Sequence, residues 1–411
     1  MATTDVPQAR TRPPRPSIDA LGWLRENLFS TWYNALISVI LLFIIFQVLT
    51  NFLGWVFTTQ GWPAVVANLK VLMTWTYPLD QMWRPQAALA SVALLLGFSS
   101  GVWQGLTLAI AKGFGAISAL LVIPTFFLNP LPGMVAMPSW LYFMTLTAAV
   151  AAGYFAGRAG GERLRWPLII CWLLIYPFVV TLIRGIGGGV LPIVNTNLWG
   201  GLMLTLLLAT SGIVLSFPLG ILLALGRRSD LPVIKWFCIA YIELIRGVPL
   251  VTVLFMGALL LPLFIPGGEN IDGLFRATVA VTLFSAAYLA ENVRGGLQSL
   301  PRGQTEAARA LGLNTVQTTL LITLPQALRA VIPVLVGQFI GLFKDTSLVV
   351  IIGLVDLLGA AQNIVGQPQW LGTPGGVWRE AFLFIALIYW VISFSMSRAS
   401  RSIETKLNVG R

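Results

Sequence analysis

Histidine does not occur once in the 411 residues. That removes the commonest general base and the commonest metal ligand, so hydrolytic or metal-dependent chemistry is a poor expectation. Cysteine is almost absent as well. Cys171 and Cys238 both lie in or beside apolar segments, where packing is a better role than a disulfide, and two thiols cannot hold zinc alone. Charge is scarce: 10% of residues are Asp, Glu, Lys or Arg, against roughly 25% in soluble domains. No G-x-x-x-x-G-K-[ST] phosphate loop is present, so any ATP-driven work needs an ATPase on another chain. The short alternating segments of a membrane β-barrel are missing too.

What remains is hydrocarbon. Apolar residues make up 57% of the chain and the mean hydropathy is +0.83. Continuous apolar runs of bilayer-crossing length recur from residue 31 to residue 400. They predict an all-α polytopic membrane protein of about ten spans, near 31–55, 88–110, 114–130, 138–157, 167–184, 199–225, 238–264, 275–294, 329–352 and 379–400. Only Ala111, Lys112 and Gly113 part the second span from the third, so 88–130 also reads as one span with a re-entrant piece.

Alternating the loops leaves Lys70, Arg84, Arg184, Arg276 and Arg379 on one side and most other Lys and Arg on the other. The positive-inside rule makes the basic side, with both termini, cytoplasmic. The net charge of +11 is thus a topology signal and an attraction to anionic lipid, and nucleic-acid binding is not expected.

Residues 1–16 are rich in Pro and Arg without an apolar run, and disorder is expected there. Residues 17–30 read as an amphipathic helix lying on the membrane, with Ile18, Leu21, Leu24 and Leu28 at helical spacing and Ser17 or Asp19 as caps. A plain extension of the first span is the alternative. Residues 31–190 carry few ionisable groups within spans, and Trp near span ends suits interfacial belts. Beyond a boundary near 190, charges appear in and beside spans, and the region 191–405 takes on a different character.

The loop 295–328 is too polar to cross a membrane. In "TEAARALG" Thr305 is a possible N-cap, Glu306 suits the positive end of a helix dipole, and Gly312 can end the helix. A second short helix could start near Asn314, with Pro325 and Pro333 marking bends. Such helices would expose Ala307, Ala308, Leu311 and Leu313, either to a cleft on a partner protein or to lipid headgroups.

Glu306-Ala307-Ala308, Gly312, Ile322 and Leu324-Pro325 resemble, at matching spacing, the EAA loop of the membrane subunits of ATP-binding cassette importers. "IELIRGVPLVTVLF", "AYLAENVRGGLQSLPRGQTEAA" and "GLFKDTSLVVIIG" are similar to polar amino-acid uptake permeases, and the lead-in "WLRENLF" to the long permeases of general L-amino-acid systems. The resemblance covers about 198–405 and implies a type I importer core of five spans, with extra amino-terminal spans before it. It implies that Glu306, Ala307, Ala308, Gly312 and Leu313 couple to an ATPase. The implied partners are two ATPase subunits holding ATP and Mg, a second and different permease, and an extracytoplasmic amino-acid-binding protein. No cofactor is expected on this chain, and the implied location is a bacterial inner membrane.

Lys344 and Asp345 are the residues least at home in lipid. A helix entering near Pro333 carries Asp345 roughly 18 Å along its axis, about mid-membrane. Each charge would cost on the order of 2.5–3.5 kcal/mol facing lipid there. A zwitterionic amino acid needs an acceptor for its ammonium and donors for its carboxylate. Asp345 with Thr346 and Ser347 can supply the first, and Lys344 the second; an internal charge pair with another helix is the alternative. In the resembled family this stretch borders the substrate cavity. Glu243 with Arg246, and Glu291 with Arg294, stand i,i+3 and read as structural or gating pairs. Pro249 can unwind the start of its span, and Gly212, Pro218 and Gly220 can do likewise one helix earlier.

The expected function is therefore an amino-acid permease subunit without an ATPase site of its own. A stand-alone secondary transporter would show an inverted repeat, which the two halves do not suggest. A membrane enzyme would need clustered polar residues at one interface, and the carboxylates are scattered.

Overall fold

The computed structural model describes residues 20–127, 138–189, 191–264 and 271–408. The expected disordered tail 1–16, Ile18 and the caps Ser17 and Asp19 lie outside the described residues. The described residues are almost wholly helical, with two isolated bridges and no strand. By contacts the chain divides into two compact units, residues 1–60 and residues 61–411.

The first unit holds α1 (Ala20–Asn27) and α2 (Trp32–Thr58). The amphipathic stretch is thus a helix of eight residues that stops before Leu28. Thr31 caps α2 by accepting from the Asn34 amide, and the Ser38 hydroxyl donates to the Leu28 carbonyl across the turn. The long apolar α2 has no residue buried within this chain.

The second unit opens with two short helices, α3 (Trp62–Ala67) and α4 (Leu69–Thr74), followed by α5 (Trp83–Trp103), α6 (Leu106–Phe127), α7 (Ser139–Gly160) and α8 (Arg165–Arg184). The turn between α5 and α6 lies at Gln104 and Gly105, both at positive φ, and not at residues 111–113, which belong to α6. Residues 88–127 are accordingly a hairpin, closed by Ala93 of α5 against Ala111 of α6, without a re-entrant piece among the described residues.

Among the described residues, eight segments are long and apolar enough to cross a membrane, nine if one bent pair counts as a span. One of the eight, Ser139–Arg184, is itself a hairpin. The Tyr142 hydroxyl donates to the Gln86 carbonyl near the starts of α7 and α5, and Gly157 abuts Phe98 near their ends, so these two run parallel. Trp172 near the start of α8 donates to Ser99 near the end of α5, so α8 runs the opposite way. Gly161, at φ +52, makes the break between them. Counting both arms of this hairpin and the bent pair, the described residues accommodate about ten crossings.

The remainder comprises α9 (Gly201–Arg227), α10 (Pro232–Arg246), α11 (Leu250–Phe255), α12 (Leu261–Phe264), α13 (Gly273–Gln298), α14 (Arg302–Ala310), α15 (Thr315–Gln317), α16 (Leu324–Asp345), α17 (Leu357–Val365) and α18 (Trp378–Asn408). The bent pair is Pro232–Arg246 with Leu250–Phe264, turned by 110° at Gly247–Pro249. Pro249 caps α11, as its ring predicts. Gly212, Pro218 and Gly220 do not unwind α9, which runs unbroken. The two glycines instead admit neighbours: a Cβ at Gly212 would lie 2.9 Å from Val281 and 3.0 Å from Leu342, and one at Gly220 2.5 Å from Leu289. Two clusters carry the centre, one joining α9, α11, α13 and α16 through Leu208, Leu254, Val281 and Leu342, the other through Ala224, Ile242, Leu289 and Leu335.

Candidate functional site: the coupling hairpin and the intramembrane charges

The polar loop folds as a hairpin of α14 and α15 continuing into α16. Helix α14 begins at Arg302, behind Pro301, so Thr305 lies inside the helix and is not its cap. Its end is closed by two backbone hydrogen bonds. The Gly312 amide donates to the Arg309 carbonyl at 2.9 Å, and the Leu313 amide reaches back to Ala308 at 3.2 Å. This is the Schellman pattern, and it needs the left-handed backbone that Gly312 adopts at φ +80. Asn314 then starts α15 in a capping box. Its side chain accepts from the Gln317 amide at 2.9 Å, and its own amide donates to Gln317 Oε1 at 3.0 Å.

Glu306, Ala307 and Gly312 are exposed and Leu313 is half-buried. Ala308 is not on the exposed face: it is 3% accessible, because α14 lies down on the segment after α15. Its size matters for that packing, and its side chain cannot be a partner contact. The exposed apolar surface comes from Leu311, Val316, Leu320 and Leu321. Of these only Leu311 is anticipated by the motif's helix, since exposure of the others depends on how the following turn is wound.

Further along α16, Leu342 touches Gly212 near the middle of α9, which sets Asp345 within one turn of that level. Lys344 is exposed, and Asp345 and Ser347 are half-buried. Thr346 is turned inward, 1% accessible, with its hydroxyl donating to the Phe343 carbonyl at 2.7 Å. Among the described residues no acid lies within ion-pair distance of Lys344 and no base within that distance of Asp345. Among the described residues the alternative of an internal pair with another helix is not formed.

The i,i+3 pairs are rearranged. Arg294 does clasp Glu291, from the next turn of α13, with both its Nε and Nη2. Glu243, however, takes Arg227 at 2.8 Å in place of Arg246. Arg246 turns to Glu291 at 3.9 Å and lies over the Tyr288 ring at 5.6 Å. Arg227 reaches Glu291 as well, at 3.6 Å. The five side chains form one net-positive network tying the ends of α9 and α10 to α13, beside the bend at Gly247–Pro249. Arg227 could not be picked out as a site residue from the sequence, where "GRR" at a span end is an ordinary topology signal. A polar ladder continues between α13 and α16. Asn292 donates to Gln338 at 2.7 Å, and Gln338 donates to the Ser285 carbonyl at 2.9 Å. Among the described residues no group of three or more His, Cys, Asp or Glu could hold a metal.

Sequence similarity to known proteins extends over almost the whole chain. An Escherichia coli protein named as the inner membrane amino-acid ABC transporter permease YhdY is 39% identical over 98% of this chain and 98% of its own. This chain belongs to the ABC-transporter permease family. The family of binding-protein-dependent transport system inner membrane components matches residues 216–409 of this permease. The Rhodobacter capsulatus glutamate/glutamine/aspartate/asparagine transport system permease BztC is 34% identical over 99% of both chains. Among solved structures, an amino acid ABC transporter crystallised with histidines is 32% identical, covering 50% of this permease and 92% of that chain at a TM-score of 0.44.

Proposed function

We propose that this permease is the membrane subunit of an ATP-driven amino-acid importer. Its work is received through the hairpin that exposes Glu306, Ala307 and Gly312. The single observation carrying this reading is the rigid closure of that hairpin. A helix end locked by a Schellman pattern and followed at once by a capping box transmits displacement, where a flexible loop would absorb it. Two ATPase subunits, carrying ATP and Mg, press on the hairpins of two permeases; the second permease is a different chain. An extracytoplasmic binding protein delivers the amino acid on the side away from the hairpin. Both termini and the hairpin face the cytoplasm, in line with the Lys and Arg bias.

Lys344, Asp345 and Ser347 meet the substrate, because two charges near the middle of the membrane, with no ion pair to another helix among the described residues, need polar company in the pathway. The network of Arg227, Glu243, Arg246, Glu291 and Arg294 acts as a gate beside the bent span. Residues 191–405 form the transport core, 31–190 the additional membrane region, and 17–30 lie along the cytoplasmic leaflet.

Co-purification from a bacterial membrane followed by reconstitution tests this, with each of the twenty L-amino acids offered radiolabelled. The expected result is an ATPase band, a second permease band and ATP-dependent uptake. Gly312→Val, which strains a left-handed residue by about 1–3 kcal/mol, is expected to abolish uptake while ATP hydrolysis persists. Uptake by this chain alone, driven by an ion gradient, would overturn the proposal.

A further inference from the structure

Between α15 and α16 the helix does not run as an α-helix. Thr318–Thr323 form a π-helical turn, closed by the Leu324 amide donating to Thr319, five residues back. A second π turn, Met256–Leu260, lies in the bent span and is closed by Leu261 donating to Met256. Each ends two residues before a proline, Pro325 and Pro262. Proline has no N–H for the carbonyl four residues back, and its ring crowds that carbonyl. In the bent span the carbonyl so released, Ala258, is taken by Arg276 at 2.6 Å. Proline is not sufficient to widen a turn, since Pro124, Pro177, Pro218 and Pro333 sit inside ordinary α-helices.

What distinguishes Thr318–Thr323 is that both its ends are pinned. On one side Ala308 and Thr318 are buried where α14 lies down, and across the turn Gln326 of α16 donates to Gln304 of α14 at 3.4 Å. On the other, Leu324, Ala327, Val331 and Leu335 are locked into the cluster with α9, α10 and α13. A π turn holds one residue more than an α turn, which offsets the phase of everything beyond it by roughly 100°. The offset is visible in exposure. In an unbroken α-helix Leu320 and Leu321 would share the face of Leu324, four and three residues on. Leu324 is 9% accessible, yet Leu320 is 51% and Leu321 65% accessible.

We infer that this π turn is the phase-setting joint of the coupling. Its extra residue orients the hairpin against α16 and turns Leu320 and Leu321 outward, beside Leu311 and Val316, as the apolar contact an ATPase subunit grips. The inference rests on the importer reading above and concerns a different feature, the winding of the junction. Pro325 holds the joint in its π form. With an ordinary residue there the segment relaxes to α-helix. Because α16 is anchored in the core, the hairpin turns instead and loses its register on the partner.

The test uses the complete complex in proteoliposomes with ATP, the binding protein and a radiolabelled mixture of L-amino acids. Pro325→Ala is expected to lower ATP-driven uptake by about five- to hundredfold, the span of ordinary coupling effects, with ATP hydrolysis retained. Deleting Thr319 in the Pro325→Ala background removes the surplus residue, restores the phase as a plain α-helix, and is expected to recover most of the uptake. The recovery arm holds even if the single variant is unstable, since a general folding defect would not be repaired by a further deletion. Uptake by Pro325→Ala within about twofold of wild type, below the usual coupling range, or no recovery in the deletion variant, overturns the inference. A wild-type complex without ATP-dependent uptake would instead overturn the importer reading itself.

Discussion

Asp356 is wholly buried just outside the long apolar segments, yet it keeps a full set of partners. It caps α17 by accepting from the Gly359 amide at 2.9 Å and the Leu358 amide at 3.2 Å, and it accepts the Tyr389 hydroxyl at 3.1 Å. Burial pushes its carboxyl up from the ordinary 3.8, against the pull of those donors. With the folded value above the unfolded one, its contribution is fully present below 3.8 and is lost as pH rises through the raised value. The thermal midpoint of the purified protein should therefore fall over that window, and Asp356→Asn, which keeps an acceptor for the cap, should flatten the fall. A second residue stores strain. Gln104 turns the α5–α6 corner at φ 48 and ψ −157, a backbone that glycine adopts freely. Gln104→Gly should raise stability by about 1 kcal/mol, read as a higher unfolding midpoint in detergent.

Among the elements, α5 and α7 approach each other closely. Gly97 and Gly101 on one meet Gly153 and Gly157 on the other, four residues apart on each. A Cβ at any of the four would lie 2.4 Å from a carbonyl oxygen of the facing helix. This is the small-residue seam by which membrane helices associate without a hydrophobic drive. Gly97→Leu or Gly153→Leu should cost at least about 1–3 kcal/mol, as overpacking does, and lower the yield of monodisperse protein. Equivalent leucines at Gly113 or Gly54, where nothing lies within 4 Å, should be neutral. The sequence displays these glycines plainly, but it does not say which helix each faces.

For the molecule as a whole, the division between residues 60 and 61 has a consequence for the family core. Residues 61–190 share buried clusters with residues 191–411. Ala64, Val65 and Leu72 of α3 and α4 pack with Ala360, Ile364 and Ala381 of α17 and α18, and Tyr77 and Ile183 enclose Trp199. Arg84, inaccessible to solvent, donates to the Pro192 carbonyl at 2.8 Å and fastens α5 to the segment leading into α9. A chain starting at residue 191 would leave these apolar faces uncovered and should aggregate on gel filtration in mild detergent. One lacking only residues 1–60 should stay monodisperse. The boundary near 190 thus separates two sequence characters within one compact unit, and α3 and α4 are too short to carry a span signal in the sequence.

Local information was enough for what depends on neighbours along the chain. Hydropathy runs determined the crossings, since each helix must satisfy its own backbone in lipid. Gly312, Asn314 and Pro249 announced the hairpin and the bend because capping and ring constraints act within a few residues. Tertiary structure alone decided that Arg227 takes Glu243 from Arg246, that Ala308 faces inward, and that Leu320 and Leu321 face out. Those outcomes depend on which distant helices meet and on how a pinned segment winds between them. A one-dimensional pattern of apolar and polar residues does not contain that geometry.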